Sequence, residues 1–239
     1  MTRLTLTPRN ILILSVIAAI IGSLGWIISD VLLIGYRFDP SSYEILSRSA
    51  FLKDTELASV MASGNYSGQA LGSILAVLVG PLMIMALYHI VKLTQPVGKN
   101  WTTVIGLLLL AGFCWSPATL ATYFPLGQSI RIGLHVENSC TESLLALAGA
   151  FESHLLKLWI PAVGSMSLGW LILLILTAAN KTSYPRFFAA LNPLPLGVLC
   201  FVMIRFLPES LAVPLAPAGI SLGLMLFFLA TLVLLLKKT

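Results

Sequence analysis

The chain has 239 residues, 58% of them hydrophobic and only 10% charged, with a formal net charge of +5 and a mean hydropathy of +0.96. Soluble domains carry about 25% charged residues, so this composition excludes a water-soluble globular domain and calls for lipid as solvent. The cations are scattered between apolar runs and form no basic stripe, which excludes nucleic acid as a partner.

A hydrocarbon core of about 30 Å takes about 20 apolar residues of helix, because lipid offers the backbone no hydrogen-bond partner. The pattern predicts an all-α polytopic membrane bundle, a single transmembrane domain over residues 1–239, held by the lipid bilayer. It has about six spans, at 10–36, 68–93, 102–124, 155–179, 187–207 and 218–236, and two amphipathic outer segments.

The first span opens at Thr7-Pro8, a helix-start pair. Arg3 and Arg9 ahead of an apolar run look like a signal peptide, with Ser23-Leu24-Gly25 as cleavage site, but the run continues to Tyr36 and is expected to stay as a membrane helix. Asp30 is the sharpest feature in it. It lies six residues, or about 9 Å of helix, below the end of the span. A carboxylate at that depth costs about 2.5–3.5 kcal/mol, so it should face the bundle and have a partner or water. Trp26 shares its face, and Gly22 lets a neighbouring helix come close. Two readings stand side by side: a proton carrier, general acid or base, or anchor for a cationic group; or a buried ion pair, with Arg205 as the partner.

Between the first two spans, Tyr43, Leu46, Ala50, Leu57 and Val60 recur at helical spacing, with Arg48, Lys53, Asp54 and Glu56 on other positions. Such a segment lies on the membrane surface or folds over the bundle as a lid. Asn65-Tyr66-Ser67 is a glycosylation sequon only for a chain in a eukaryotic secretory pathway. In the second span His89, beside Tyr88 and Lys92, reads as an interfacial histidine, and Thr94-Gln95-Pro96 ends the helix.

On the third span Trp115, Ser116 and Tyr123 reach the depth of Asp30. The stretch 125–154 then holds Arg131, His135, Glu137, Glu142, Glu152 and His154, the richest set of ionisable groups near the membrane. On one helix His135 and Glu142 would share a face. The run 144–151 is short enough to dip into the bilayer or pack on the bundle without crossing. By depth, an outward-facing cavity of mixed polar and aromatic character is expected, with Asp30, Trp26, Trp115, Glu142, His154 and Arg205 as ligand-binding candidates and Glu152 close by.

Pro81, Pro117, Pro161 and the element Asn192-Pro193-Leu194-Pro195 fall inside spans, where each proline frees a carbonyl. Broken helices line transporter cavities, although no inverted repeat relates the two halves. Cys114, Cys140 and Cys200 make no framework, no Cys/His ligand spacing or HExxH occurs, and neither a metal nor a cofactor is expected.

Orientation follows the distribution of cations. Arg3, Arg9, Lys92, Lys99, Lys181, Arg186, Lys237 and Lys238 share one acid-free side that includes both termini, which is expected to be cytoplasmic.

The segments Trp26-Ile27-Ile28-Ser29-Asp30, Phe38-Asp39-Pro40-Ser41-Ser42-Tyr43 and Glu56-Leu57-Ala58-Ser59-Val60-Met61 resemble an uncharacterised bacterial membrane protein family, catalogued only as a domain of unknown function. The likeness runs on through Ser116-Pro117, Gly169-Trp170 and Asn192-Pro193. It implies a bacterial inner-membrane protein without an assigned activity and places no catalytic residue. Three functions fit the residues: binding or transport of a small amphiphilic or cationic molecule around Asp30; an intramembrane enzyme on a lipid-like substrate, using Asp30 with His154 or Glu142; and a structural membrane subunit.

Overall fold

The computed structural model describes residues 7–136 and 138–237, so Arg3, Glu137 and Lys238 lie outside the described residues. Among the described residues every regular element is helical. Helix α1 runs Pro8–Ile34, with the Thr7 hydroxyl accepting from the Asn10 N–H at 3.3 Å and Pro8 placed where a missing N–H costs no bond. Two short helices follow, α2 (Pro40–Leu46) and α3 (Thr55–Ala62). Then come α4 (Tyr66–Thr94), α5 (Lys99–His135), α6 (Asn138–Ala178), α7 (Pro193–Ile204), α8 (Glu209–Leu215) and α9 (Gly219–Lys237). Among the described residues five helical stretches are long and apolar enough to cross a membrane: α1, α4, α5, α6 and the α8–α9 run.

The first turn of α1 and the last turn of α9 lie at one end of the bundle, where Arg9 donates to the Leu235 carbonyl at 3.2 Å. Helix α1 packs on α4 and α9, α5 packs on α4 and α6, and α7 packs on α9. Gly22 gives the α1–α4 crossing its closeness, because a Cβ there would stand 2.8 Å from the Met83 sulfur. The core has two parts. One, around Phe113, Trp170, Phe227 and Phe228, fills the half carrying the termini. The other, around Leu33, Leu126, Ile130 and Leu155, lies under α2 and α3.

Helices α2 and α3 form the lid, and the single stripe expected from the sequence is not what holds it. The lid buries Leu46, Leu52, Ala58 and Met61, while Ala50 is exposed and Tyr43, Leu57 and Val60 are only half-buried. The chain breaks between Ser47 and Asp54, and the break resets the helical register. Asp39 caps α2, accepting from the Ser41 and Ser42 N–H groups. The hydroxyls of Ser42 and Ser41 also donate to it and hold its carboxyl down to about 2.

The stretch 125–154 is no separate dipping segment: α5 and α6 extend beyond the bilayer-length core and zip together, burying Leu145 and Ala148. Helix α5 passes through Pro125 because the carbonyl that this proline frees, on Ala121, accepts from the Ser73 hydroxyl at 3.4 Å. His135 ends α5 and Glu142 belongs to α6, so they share no helical face.

The fifth apolar segment is also shorter than its composition suggests. Residues 186–189 make a 3-10 turn, and helix starts only at Pro193. Pro193 and Pro195 both occupy the first turn, where N–H groups have no intrahelical acceptor, and Asn192 accepts from the Leu194 N–H between them at 3.1 Å. The 12 residues of α7 span about 18 Å, too little to cross a bilayer alone.

Candidate functional site

Asp30 is 8% exposed, and its Oδ2 accepts from the Ser221 hydroxyl at 2.7 Å. The ion pair with Arg205, one of the two readings of Asp30, is not formed. Arg205 lies exposed at the end of α7, its guanidinium 5.0 Å from the Phe201 ring centroid, because α7 packs on the far side of α9 from α1. Oδ1 of Asp30 takes no hydrogen bond from the described residues.

Beside Asp30 lies a cavity of about 150 Å³ among α1, α5, α6 and the start of α9. Trp26, Tyr123 and Trp159 give it aromatic walls, and Ser116, Thr119 and Ser221 give it hydroxyls. Trp26 is fixed by its indole N–H, which donates to the Ala76 carbonyl at 3.4 Å, and by edge contact with Phe113. The hydroxyl hydrogens are already used: Ser116 donates to the Gly112 carbonyl, Thr119 to the Trp115 carbonyl and Ser221 to Asp30. These three oxygens and the carboxylate therefore meet the cavity as acceptors, while the Tyr123 hydroxyl, which makes no hydrogen bond among the described residues, keeps a hydrogen to donate. Among the described residues no Lys, Arg or His lines it.

The other candidates stand apart from this cavity. Trp115 is 44% exposed and does not line the cavity, being about 100° around α5 from Ser116. Glu142 is exposed, bordering a shallow hollow with Arg48 and Phe51 of the lid. His154 is exposed, and it does not line the cavity. Neither is placed as an acid or base partner for Asp30. Glu152 is buried, but its carboxylate clasps the lid: Oε2 accepts from the Lys53 N–H at 2.8 Å and Oε1 from the Asp54 N–H at 2.6 Å. Sequence reasoning missed Ser221, Thr119 and Trp159. A serine inside an apolar helix and an aromatic near a span end carry no signal of their own.

His89 is a further correction. It is fully buried, not interfacial, with its ring edge-on to Phe228. Ser15 gives its hydroxyl hydrogen to the Leu12 carbonyl, so the 3.1 Å bond between Ser15 Oγ and His89 is assigned as donated by Nδ1–H. That leaves Nε2 buried with no hydrogen-bond partner among the described residues. Replacing His89 with leucine removes this orphan and keeps the Ser15 bond to Leu12. The expected cost is below about 1 kcal/mol, or a gain, read as an apparent Tm in detergent. A fall of many degrees would mean that the Nδ1–H bond to Ser15 and the edge contact with Phe228 contribute more than the orphan Nε2 costs.

Fold and site together define an all-helical bundle of apolar helices enclosing one carboxylate in an aromatic, acceptor-rich cavity. The chain belongs to a family of unknown function (DUF6796), whose model matches residues 9–238. No curated protein and no solved structure matches it.

Proposed function

We propose that this is a multi-pass inner-membrane protein, with both termini in the cytoplasm, that binds or transports a small amphiphilic or cationic molecule in the cavity around Asp30. The orientation rests on the acid-free cationic side that carries both termini. The binding reading rests on one observation: a carboxylate deep among apolar helices, tied by one oxygen to Ser221, borders a cavity offering acceptors and aromatic walls but no basic side chain. A cation there offsets the cost of keeping the carboxylate ionised, which an ion pair with Arg205 would otherwise do.

Asp30→Asn tests it. The amide oxygen still accepts from Ser221, so the bundle keeps its fold while the charge is lost. Native mass spectrometry of the protein released from lipid nanodiscs should show a bound non-protein mass on wild type and lose it on Asp30→Asn, with unchanged apparent Tm. Equal occupancy of both proteins, or none on either, would sink the reading.

A further inference from the structure

The direction from which a ligand reaches Asp30, and the part of it that fits, are both written in the geometry of α6 and α9. Towards the end of the bundle where Arg9 meets Leu235, the space between these helices is filled by rings, with the Trp170 centroid 5.1 Å from that of Phe227 and 6.4 Å from that of Phe228. Towards the lid, the axial path is filled by Leu33, Leu126 and Leu155, all at most 2% exposed, with Leu46 and Leu52 of the lid in the same cluster. Between those two seals, Trp159 of α6 and Ile220 of α9 both line the cavity, yet they are 44% and 56% exposed. The open side of the cavity therefore faces sideways, where the exposed apolar surface of the bundle meets lipid.

The volume limits what enters. A cavity of about 150 Å³ takes a benzene-sized group and not a long chain. The chemistry selects that group: a carboxylate oxygen without a partner, the Ser116, Thr119 and Ser221 hydroxyls presented as acceptors, and Trp26, Tyr123 and Trp159 around them. Aromatic walls with a carboxylate are the arrangement that recognises ammonium groups, including those with no N–H to donate. We propose that the cavity takes the ammonium head of a long-chain alkylammonium amphiphile, which slides in from the bilayer between α6 and α9 and leaves its chain in lipid beside Trp159 and Ile220. This rests on the cavity-binding reading above and adds the ligand class and the route.

The test is equilibrium binding to the full chain in nanodiscs, with empty discs as background, of dodecyltrimethylammonium, tetramethylammonium and dodecanol. Wild type should bind dodecyltrimethylammonium saturably and neither of the other two. Asp30→Asn should weaken that binding by about 30-fold or more. Ile220→Trp, a substitution at an exposed position that fills the mouth without touching Asp30, should weaken it comparably with unchanged Tm.

Tetramethylammonium binding as tightly, with Ile220→Trp silent, would overturn the lateral route. Dodecanol binding as well as the cation would overturn the ammonium class. An Asp30-dependent mass in the native spectra with no binding of either cation would overturn this inference while leaving the proposed function standing. Loss of the Asp30-dependent mass as well would remove both.

Discussion

Replacing Gly223 with leucine is expected to detach α7 from the bundle. A Cβ at this position would stand 2.6 Å from the Gly197 nitrogen, 2.9 Å from its Cα and 3.0 Å from the Pro193 carbonyl oxygen. Every one of these atoms is backbone, so no side chain can swing away and one helix must move. Small residues at such crossings are what let helices hold each other in lipid, where apolar burial gives little drive to associate. The rest of the α7 anchorage is small: Pro193, Leu196 and Ile204 are buried, Val198, Leu199, Phe201, Val202 and Met203 are all more than 44% exposed, and its start is tied to α6 by the Asn192 amide donating to the Trp170 carbonyl at 3.0 Å. Alanine should cost about 1–3 kcal/mol and several degrees of Tm; leucine should cost more and lose the Asn192 bond. Gly164, whose Cβ would meet nothing within 4 Å, is the control and should accept leucine without loss. Thermal melts of the three variants decide it. Equal behaviour at Gly223 and Gly164 would mean that the α7–α9 crossing carries no stability.

How far the sequence foretells this arrangement depends on which physical signal each element carries. Helices α1, α4 and α9 fall within about two residues of the expected spans, because their apolar runs end in capping residues or charges. For α5 and α6 apolarity stops well before the helix does. A proline that ends a helix on paper is carried through by a hydroxyl from α4, a partner distant in sequence. The length of α7 is illegible for the opposite reason: residues 187–207 are apolar except for Asn192 and Arg205, and only the local geometry of Asn192-Pro193 says where helix begins.

At the site, the four-residue spacing on α1 placed Asp30 and Trp26 on one face, and depth along α5 added Ser116 and Tyr123, all of which line the cavity. Depth says nothing of rotation about a helix axis, which is why Trp115 faces away while its neighbour Ser116 faces in. Charge pairing pointed to Arg205 because two opposite charges are the most economical buried pair. The structure offers Ser221 instead, 191 residues from Asp30, a hydroxyl that half-satisfies the carboxylate and leaves an oxygen over for something else.

Glu152→Ala is expected to free the lid while leaving the bundle intact. The carboxylate is 3% exposed, and its two oxygens accept from consecutive backbone N–H groups at the break between α2 and α3. Bonds of this charge-assisted kind contribute about 1.5–3 kcal/mol each when buried. Lys53 and Asp54 are themselves exposed, so water replaces part of what is lost, and about 3 kcal/mol for the pair is the reasonable figure. Hydrogen exchange over residues 40–62 should then accelerate about 100-fold with little change in α4 or α9. Glu152→Gln makes the sharper case. It keeps the size and one acceptor but turns an N–H donor towards a second N–H, so it should loosen the lid nearly as much as alanine. If glutamine protects the lid as well as glutamate does, the burial of Leu46, Leu52 and Met61 alone holds it down. If glutamine fails, the seal over the lid-side end of the Asp30 cavity depends on one buried charge, and opening the lid should admit water-soluble cations that the intact protein excludes.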